Sequence, residues 1–150
     1  MTVPVTTPEL VVINSTSTTK DEVIRELADR LVAEGRVTDI ELYLADVAKR
    51  EEVMATGIQG GIGIPHARSA SVTAPSVAVA TSEKGVPFGA PDGPAHLIFL
   101  IAAPVGADDS HLQILAAIAR RVMRDEFRDA LRTATDPAFI ADTMTKEVQQ

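Results

Sequence analysis

Three histidines are the side chains of this sequence best suited to chemistry, because imidazole titrates near neutral pH and acts as base, acid or nucleophile. His66 follows the glycine-rich stretch TGIQGGIGIP, and Arg68 comes two residues later. Glycines would let another protein's backbone approach the imidazole, and a guanidinium group would bind an incoming phosphoryl group through paired hydrogen bonds. The same residue types are also typical of a glycine turn beside one exposed histidine.

The other two histidines have different settings. His111 follows the residues DDS at the expected start of a helix, where free backbone N–H groups favour an anion. If this helix end lies against His66, the two histidines form one anion pocket; otherwise His111 is a surface residue of a capping sequence. His96, in PAHLIFL, leads into an apolar run, and we expect it to be only a residue at the entrance of that strand.

Several other kinds of site lack support in the sequence. The histidines are 30 and 15 residues apart, so they provide no local chelating pair for a metal. The chain has no G-x-x-x-x-G-K-[ST] phosphate loop and no G-x-S-x-G elbow, and His66 stands where the last glycine of G-x-G-x-x-G would be. The absence of cysteine excludes disulfides, thiolate metal sites and iron–sulfur ligation. We therefore expect neither a metal nor a cofactor.

The composition limits the classes of partner. The 150 residues include 14 Lys and Arg against 21 Asp and Glu, which gives a formal charge of −7 and argues against nucleic-acid binding. The longest apolar run, Leu97 to Ala103, is far shorter than the roughly 20 residues of a membrane span, so we expect no membrane insertion. The opening MTVPVTTPEL has no basic or apolar signal region, which favours a cytoplasmic location.

Apolar residues at helical spacing predict a series of helices. Their expected starts are a capping box of Thr19 with Glu22, a second box of Thr38 with Glu41, a cap at Asp108 or Asp109, a short piece from Asp125, and Asp136 followed by Pro137. We expect the first helix to end at Gly35, the second near Met54 and the short piece at Leu131.

Short apolar segments between these helices predict strands. They are Leu10–Ile13, Ile62–Ile64, Ser76–Thr81 and Leu97–Ala103. Pro65 should end the second of them just before His66, and VPFGAPDGP should form turns. The unbroken apolar run LIFLIAA is typical of a central strand that is buried on both faces.

Helices and strands are interleaved without internal repeats, which predicts one α/β domain with a mixed sheet flanked by helices. We expect a loose lead-in over residues 1–18 that could include an edge strand, the domain over 19–146, and a polar tail or linker over 147–150. His66 would then lie at a strand end and His111 at the start of the third helix.

Two long motifs carry a resemblance to a known family. REEVMATGIQGGIGIPHARSA, from Arg50 to Ala70, and APDGPAHLIFLIAAPVGADDSHLQILAAIAR, from Ala90 to Arg120, occur in this order. They resemble the signatures of the fructose/mannitol-type enzyme IIA domains of the bacterial phosphoenolpyruvate-dependent sugar phosphotransferase system, and especially the fructose branch. The opening helices with GRVTD are similar too, so the resemblance covers nearly the whole chain and implies the fold of that family.

The resemblance also implies a function, that of a phosphotransferase component. His66 would accept a phosphoryl group from the histidine-containing phosphocarrier protein and pass it to a cysteine of the IIB domain of a sugar permease. In the family Nε2 carries the phosphoryl group, which implies that a hydrogen bond holds Nδ1. His111 and Arg50 match the residues that stabilise the transferring group, and such charge stabilisation needs no metal.

Two alternatives stay open. A regulatory enzyme IIA of the nitrogen-related branch would share the fold and the phosphorylated histidine, although APDGPA and IAAPVGADDSHL look like the sugar branch. A binding module would leave His66 unphosphorylated, but binding alone would not require His66, His111 and Arg50 together. Without cysteine or a membrane span the chain would be at most the IIA component, as a free subunit or as the front part of a fused permease; the sugar is not predicted.

Overall fold

The computed structural model describes residues 4–53, 56–106 and 110–148. The helices are α1 (Lys20–Ala33), α2 (Ile40–Val53), α3 (Ser110–Arg121), α4 (Asp125–Arg132) and α5 (Pro137–Val148). The strands are β1 (Val11–Val12), β2 (Gly57–Ile58), β3 (Ile62–Gly63), β4 (His66–Ser69), β5 (Ser76–Val86) and β6 (Ala95–Pro104), and a short 3₁₀ helix, Pro8–Leu10, precedes β1.

The described strands form one mixed sheet around β6. Their order is β1-β5-β6-β3-β2, and β4 pairs with β6 beside β3. β5 is antiparallel to β6, whereas β3 and β4 are parallel to it, and β1 is parallel to β5. Helices cover both faces, so the predicted α/β domain with a mixed, helix-flanked sheet is confirmed.

Alternate residues of β6 belong to two different cores. Ile98, Leu100 and Ala102 pack with α1 and α2, whereas Leu97, Phe99 and Ile101 pack with the helices after β6. Because both faces of the strand are covered, every side chain from Leu97 to Ala103 is buried. The central strand predicted from LIFLIAA is confirmed, with one or two further residues at each end.

β3 and β4 pair with the same edge of β6 and together form one strand that is interrupted at residues 64 and 65. Ile62 pairs with Leu97 and His66 with Ile101, so the pairing keeps the same register on both sides of Pro65. Pro65 has no N–H to donate, but its carbonyl oxygen accepts the Ile101 N–H at 3.0 Å. The prediction that Pro65 ends the short strand agrees with β3, which stops at Gly63. The sequence does not predict that pairing with β6 resumes at once, with His66 as the first residue of β4.

The predicted capping box at the start of α1 is confirmed. The Thr19 hydroxyl accepts the Glu22 N–H at 3.2 Å, and the Glu22 carboxylate accepts the Thr19 N–H at 3.1 Å. Thr18 also donates its N–H and its hydroxyl to this carboxylate. These hydrogen bonds, those from Thr18 foremost, lower the pKa of Glu22.

The predicted capping box at the start of α2 is wrong. Thr38 donates both its N–H and its hydroxyl to the Ser71 carbonyl oxygen, at 2.8 and 3.1 Å. Asp39 caps the helix in its place, because its carboxylate accepts the Leu42 N–H at 3.2 Å. A tertiary contact thus takes the hydroxyl that the local pattern assigned to the cap.

Residues 5–12 are not a loose lead-in. Val5 is only 2% exposed, and its carbonyl oxygen accepts the Val77 N–H at 2.8 Å. The Thr6 hydroxyl donates to the Val77 carbonyl oxygen at 2.8 Å. The edge strand expected at Leu10–Ile13 is present but shorter, as β1. Residues 5–12 therefore pack against the β5 side of the sheet.

The C-terminal helices largely agree with the sequence. α4 lies where the short helical piece was predicted, and the Asp136 carboxylate caps α5 by accepting the Ala138 N–H at 3.0 Å. α5 continues to Val148, which is buried, so the expectation of a polar tail or linker from 147 is wrong up to that residue. The expected caps of α3, Asp108 and Asp109, lie outside the described residues, as do 149 and 150.

The α1 capping box gives a test of local stability. We expect Thr19→Ala to lower the free energy of unfolding by about 1 kcal/mol, because the Glu22 N–H loses its side-chain acceptor. Thr16→Ala, at an exposed position of the same segment, is the matched control and should change it by less than about 0.5 kcal/mol. Urea unfolding followed by circular dichroism measures both, and equal effects would show that the cap contributes nothing specific.

Candidate active site

The position of His66 follows from the alternation of its strand. Ile62 and Ile64 point into the core beneath α3 and α5, whereas Ala67 belongs to the core beneath α1 and α2. His66 shares the side of Ile62 and Ile64, since side chains two residues apart point the same way along a strand. Its imidazole is partly buried on the α3 side of the sheet.

One hydrogen bond decides which nitrogen of His66 is reactive. Nδ1 lies 2.8 Å from the carbonyl oxygen of Ile64. A carbonyl oxygen can only accept, so Nδ1 carries the proton and donates it to Ile64. The neutral ring then has its free lone pair on Nε2, which makes Nε2 the nucleophilic atom. This is the hydrogen bond that the sequence resemblance implied.

The segment that contains the Ile64 carbonyl is held from two sides. The Ile64 N–H donates to the Thr56 carbonyl oxygen at 3.1 Å, and the next carbonyl along, that of Pro65, accepts from Ile101 in β6. The short segment before His66 is thus fixed both to the central strand and to the segment that follows α2. A rigid carbonyl keeps the imidazole in one orientation and one tautomer.

Two of the glycines before His66 make room for Phe88 of the same chain. A Cβ atom at Gly57 would lie 2.6 Å from the Phe88 carbonyl oxygen, and one at Gly63 would lie 2.9 Å from the Phe88 ring. Gly60 and Gly61 have φ values of 97° and 75°, which the turn between β2 and β3 requires. The expected role of these glycines, close approach by another protein, is therefore replaced at these positions by internal packing and a turn.

Arg50 and His111 belong to two helices on opposite faces of the sheet. Arg50 is partly buried in the last turn of α2, which packs against β4. His111 is the second residue of α3, as predicted, and α3 covers the face of the sheet that His66 shares; the side chain of His111 lies outside the described part of the structure. Arg68 is exposed in β4, on the same side of the strand as His66.

Nearly the whole chain matches one protein family. Residues 4–147 match the model of the family described as phosphoenolpyruvate-dependent sugar phosphotransferase system, EIIA 2. The chain belongs to this enzyme IIA family. Membership confirms the resemblance found in the sequence, and it implies a phosphotransferase role.

Individual relatives agree with this assignment. The fructose-specific EIIA component of Haloferax volcanii is 37% identical over 146 residues, which cover 97% of this chain and 95% of that protein. The fructose-specific EIIABC component of Bacillus subtilis is 38% identical over 141 residues, but this chain spans only 22% of its length. Among solved structures, the nitrogen regulatory protein IIA-Ntr of Neisseria meningitidis superposes with a TM-score of 0.82 at 26% identity, covering 94% of this chain and 97% of that one.

His96 lies at the opposite end of β6 from His66, at the strand entrance where the sequence placed it. Its Nδ1 is 2.9 Å from the Ser82 carbonyl oxygen, and its N–H donates to the Gly61 carbonyl oxygen at 2.8 Å. These contacts join the β2–β3 turn to β5 and β6. The structure of the IIA domain thus does not bring His96 together with His66.

Two polar residues of α2 that contact the region around His66 were not singled out from the sequence. Tyr43 is fully buried and donates its hydroxyl to the Ile101 carbonyl oxygen at 2.9 Å; burial raises its pKa. Glu51 accepts the Thr56 hydroxyl. The position of Glu51 directly after Arg50 in the R-E-E motif was the only signal in the sequence that could have drawn attention to it.

The described residues, 4–53, 56–106 and 110–148, contain neither a metal-binding cluster nor a membrane-spanning helix. Within these ranges no three His, Asp or Glu side chains are grouped closely enough to hold a metal ion. None of the helices described there has the length and apolar character needed to cross a membrane.

The packing of Phe88 yields a stability test. We expect Gly63→Ala to destabilise the domain by about 1 to 3 kcal/mol, because the new methyl group overlaps the Phe88 ring. Gly57→Ala should destabilise the domain more, because its new methyl group would overlap backbone atoms of Phe88, which cannot move aside as a side chain can. Phe88→Leu should rescue part of the loss in Gly63→Ala but none in Gly57→Ala, as thermal unfolding of the double variants would show. Equal rescue of both would contradict the assigned contacts.

Proposed function

We propose that this IIA domain carries phosphoryl groups on Nε2 of His66. The donor is the phosphohistidine of a histidine-containing phosphocarrier protein, and the acceptor is a cysteine of the IIB domain of a fructose-type permease. The observation that supports this best is the hydrogen bond from Nδ1 to Ile64, because it leaves the Nε2 lone pair available in the neutral ring.

Phosphoryl transfer to His66 needs no proton acceptor. The Nε2 lone pair attacks phosphorus, and the nitrogen–phosphorus bond of the donor breaks, so its electron pair returns to the donor imidazole. His66 keeps its proton on Nδ1, and its ring gains the positive charge that the donor ring loses. The Ile64 carbonyl oxygen, which accepts that proton's hydrogen bond, stabilises the charged ring.

The phosphoryl oxygens spread negative charge in the transition state, and cationic or N–H groups lower its energy. Arg50 and His111 are the residues we assign to this role. Arg50 lies on the helix that packs against β4, and His111 lies in the first turn of α3, where backbone N–H groups have no helical acceptor.

The second transfer reverses the first. A thiolate of the IIB domain attacks phosphorus, and the bond to Nε2 breaks, which returns neutral His66. This sequence contains no cysteine, so the acceptor thiol must belong to another domain or another chain. The Bacillus relative supports this pairing, since the name of that protein combines the A, B and C components.

A second candidate function is regulatory. The similarity to the nitrogen regulatory protein of Neisseria favours a domain whose phosphorylation state controls partner proteins. Both functions use phosphorylated His66, and they differ in the acceptor. Rapid loss of the phosphoryl group to a fructose-type IIB domain supports the transport role, whereas a phosphorylated domain that is stable in the presence of IIB supports the regulatory one.

His66 itself is tested by intact mass after incubation with phosphoenolpyruvate, enzyme I and the phosphocarrier protein. We expect one acid-labile phosphoryl adduct on the wild type and none on His66→Ala, because the nucleophile is gone, while the thermal unfolding curve confirms that the variant folds. The matched control is His96→Ala, which should still take up one phosphoryl group. An adduct on His66→Ala would refute the assignment.

The roles of Arg50 and His111 predict slower transfer without loss of the acceptor. We expect Arg50→Met and His111→Ala each to slow phosphorylation by about 10- to 1000-fold, because the transition state loses a donor. Rapid-quench kinetics measure this rate. Arg25→Met removes an exposed arginine that pairs with Glu41 on the opposite side of the sheet, and it should leave the rate unchanged. Normal rates in both site variants would limit these residues to structural roles.

A further inference from the structure

Glu51 is a buried carboxylate that the proposed transfer does not use. Its side chain is 7% exposed at the end of α2. One carboxylate oxygen accepts the Thr56 hydroxyl, and the other lies 3.3 Å from the ammonium group of Lys20. A buried carboxylate is destabilising unless such partners compensate it, so both contacts are strong constraints on the local structure.

A short series of hydrogen bonds connects Glu51 with the catalytic imidazole. The Thr56 carbonyl oxygen accepts the Ile64 N–H at 3.1 Å, and the Ile64 carbonyl oxygen accepts Nδ1–H of His66 at 2.8 Å. Thr56 is therefore bound through its side chain to Glu51 and through its backbone to the residue that orients His66.

The Thr56 hydroxyl, through its hydrogen bond to Glu51, holds the Thr56 peptide in place. The next residue, Gly57, is fixed in β2: its N–H donates to the Phe88 carbonyl oxygen at 3.1 Å, and it pairs with Gly63 of β3. Thr56 lies just before this pairing, so its peptide is held by Gly57 on one side and by the contact with Glu51 on the other. Without that contact Thr56 keeps only its link to Gly57, and the Ile64 segment depends more on β3 and on Pro65, where Ile101 donates from β6.

We propose that Glu51 is a positioning residue for phosphoryl transfer at His66. It fixes Thr56, and Thr56 fixes the Ile64 carbonyl that selects the Nδ1–H tautomer and the direction of Nε2. The same contact fixes the last turn of α2, which contains Arg50. This inference rests on the proposed function of His66, but the effect on the tautomer exists without any phosphorylation.

A purely structural role for Glu51 makes a different prediction. In that case the ion pair with Lys20 joins α1 to α2, and its loss affects stability alone. Lys20→Met separates the two roles, because it removes the ion pair and leaves the contact between Glu51 and Thr56. We expect this variant to keep the wild-type tautomer of His66 and the wild-type transfer rate.

The decisive comparison is between Thr56→Val, which has the shape of threonine without its hydroxyl, and Thr56→Ser, which keeps the hydroxyl. Nitrogen-15 spectra of the neutral His66 ring report the tautomer, and steady-state kinetics with the phosphorylated carrier protein report kcat and KM. We expect Thr56→Val to gain the Nε2–H tautomer and to lose about tenfold in kcat with KM unchanged. Thr56→Ser should behave like the wild type, and Glu51→Gln should lie between them.

Two outcomes separate this inference from the proposed function. If the wild type is phosphorylated and Thr56→Val is folded with an unchanged tautomer and kcat, the positioning role is overturned and the carrier function stands. If no carrier protein phosphorylates the wild type but Thr56→Val still shifts the tautomer, the carrier function fails and the control of the ring by Glu51 is supported. Should Thr56→Val not fold, Glu51→Gln decides through the same two measurements.

Discussion

The structure depends on one strand pairing, that of residues 62–69 with β6. β6 is buried on both faces and bonded on both edges, so it is the central strand to which the segment around His66 is attached. Pro65 interrupts the strand but not the register, and the Ile64 carbonyl oxygen accepts Nδ1–H of the histidine that follows. Since the Pro65 carbonyl pairs with β6 and the Ile64 N–H bonds to Thr56, the segment is held on both edges next to that acceptor.

Groups on both faces of the sheet contribute to the surroundings of His66. The imidazole lies on the α3 face, whereas α2 reaches the same region from the other face. Tyr43 holds the carbonyl of Ile101, the strand partner of His66, and Glu51 holds Thr56. Side chains that orient the ring are therefore buried behind the sheet, where water does not compete for their hydrogen bonds.

The sequence predicts features whose causes are local and misses those whose causes are tertiary. The run LIFLIAA is sufficient to predict β6, and the capping box at Thr19 is sufficient to predict the start of α1. Thr38 was misassigned because Ser71, distant in the chain, takes its hydroxyl. β4 was missed because its four residues, HARS, show no apolar alternation. The histidine, arginine and glycine motif pointed to His66, but no spacing rule predicts that its orientation depends on Glu51.

The distribution of charge makes a doubly negative phosphoryl group at His66 compatible with an acidic chain. Residues 4–53 contain eleven acidic side chains against six basic ones, whereas residues 56–106 contain two of each. α1 and α2 carry most of that excess, and they lie on the opposite face of the sheet from His66. Glu51 is the acidic residue that hydrogen bonds link to His66 through Thr56 and Ile64, and the ammonium group of Lys20 compensates its charge. The segment that contains His66 therefore adds no net acidic charge of its own, and we assign the stabilisation of the proposed phosphoryl group to Arg50 of α2 and to the first turn of α3.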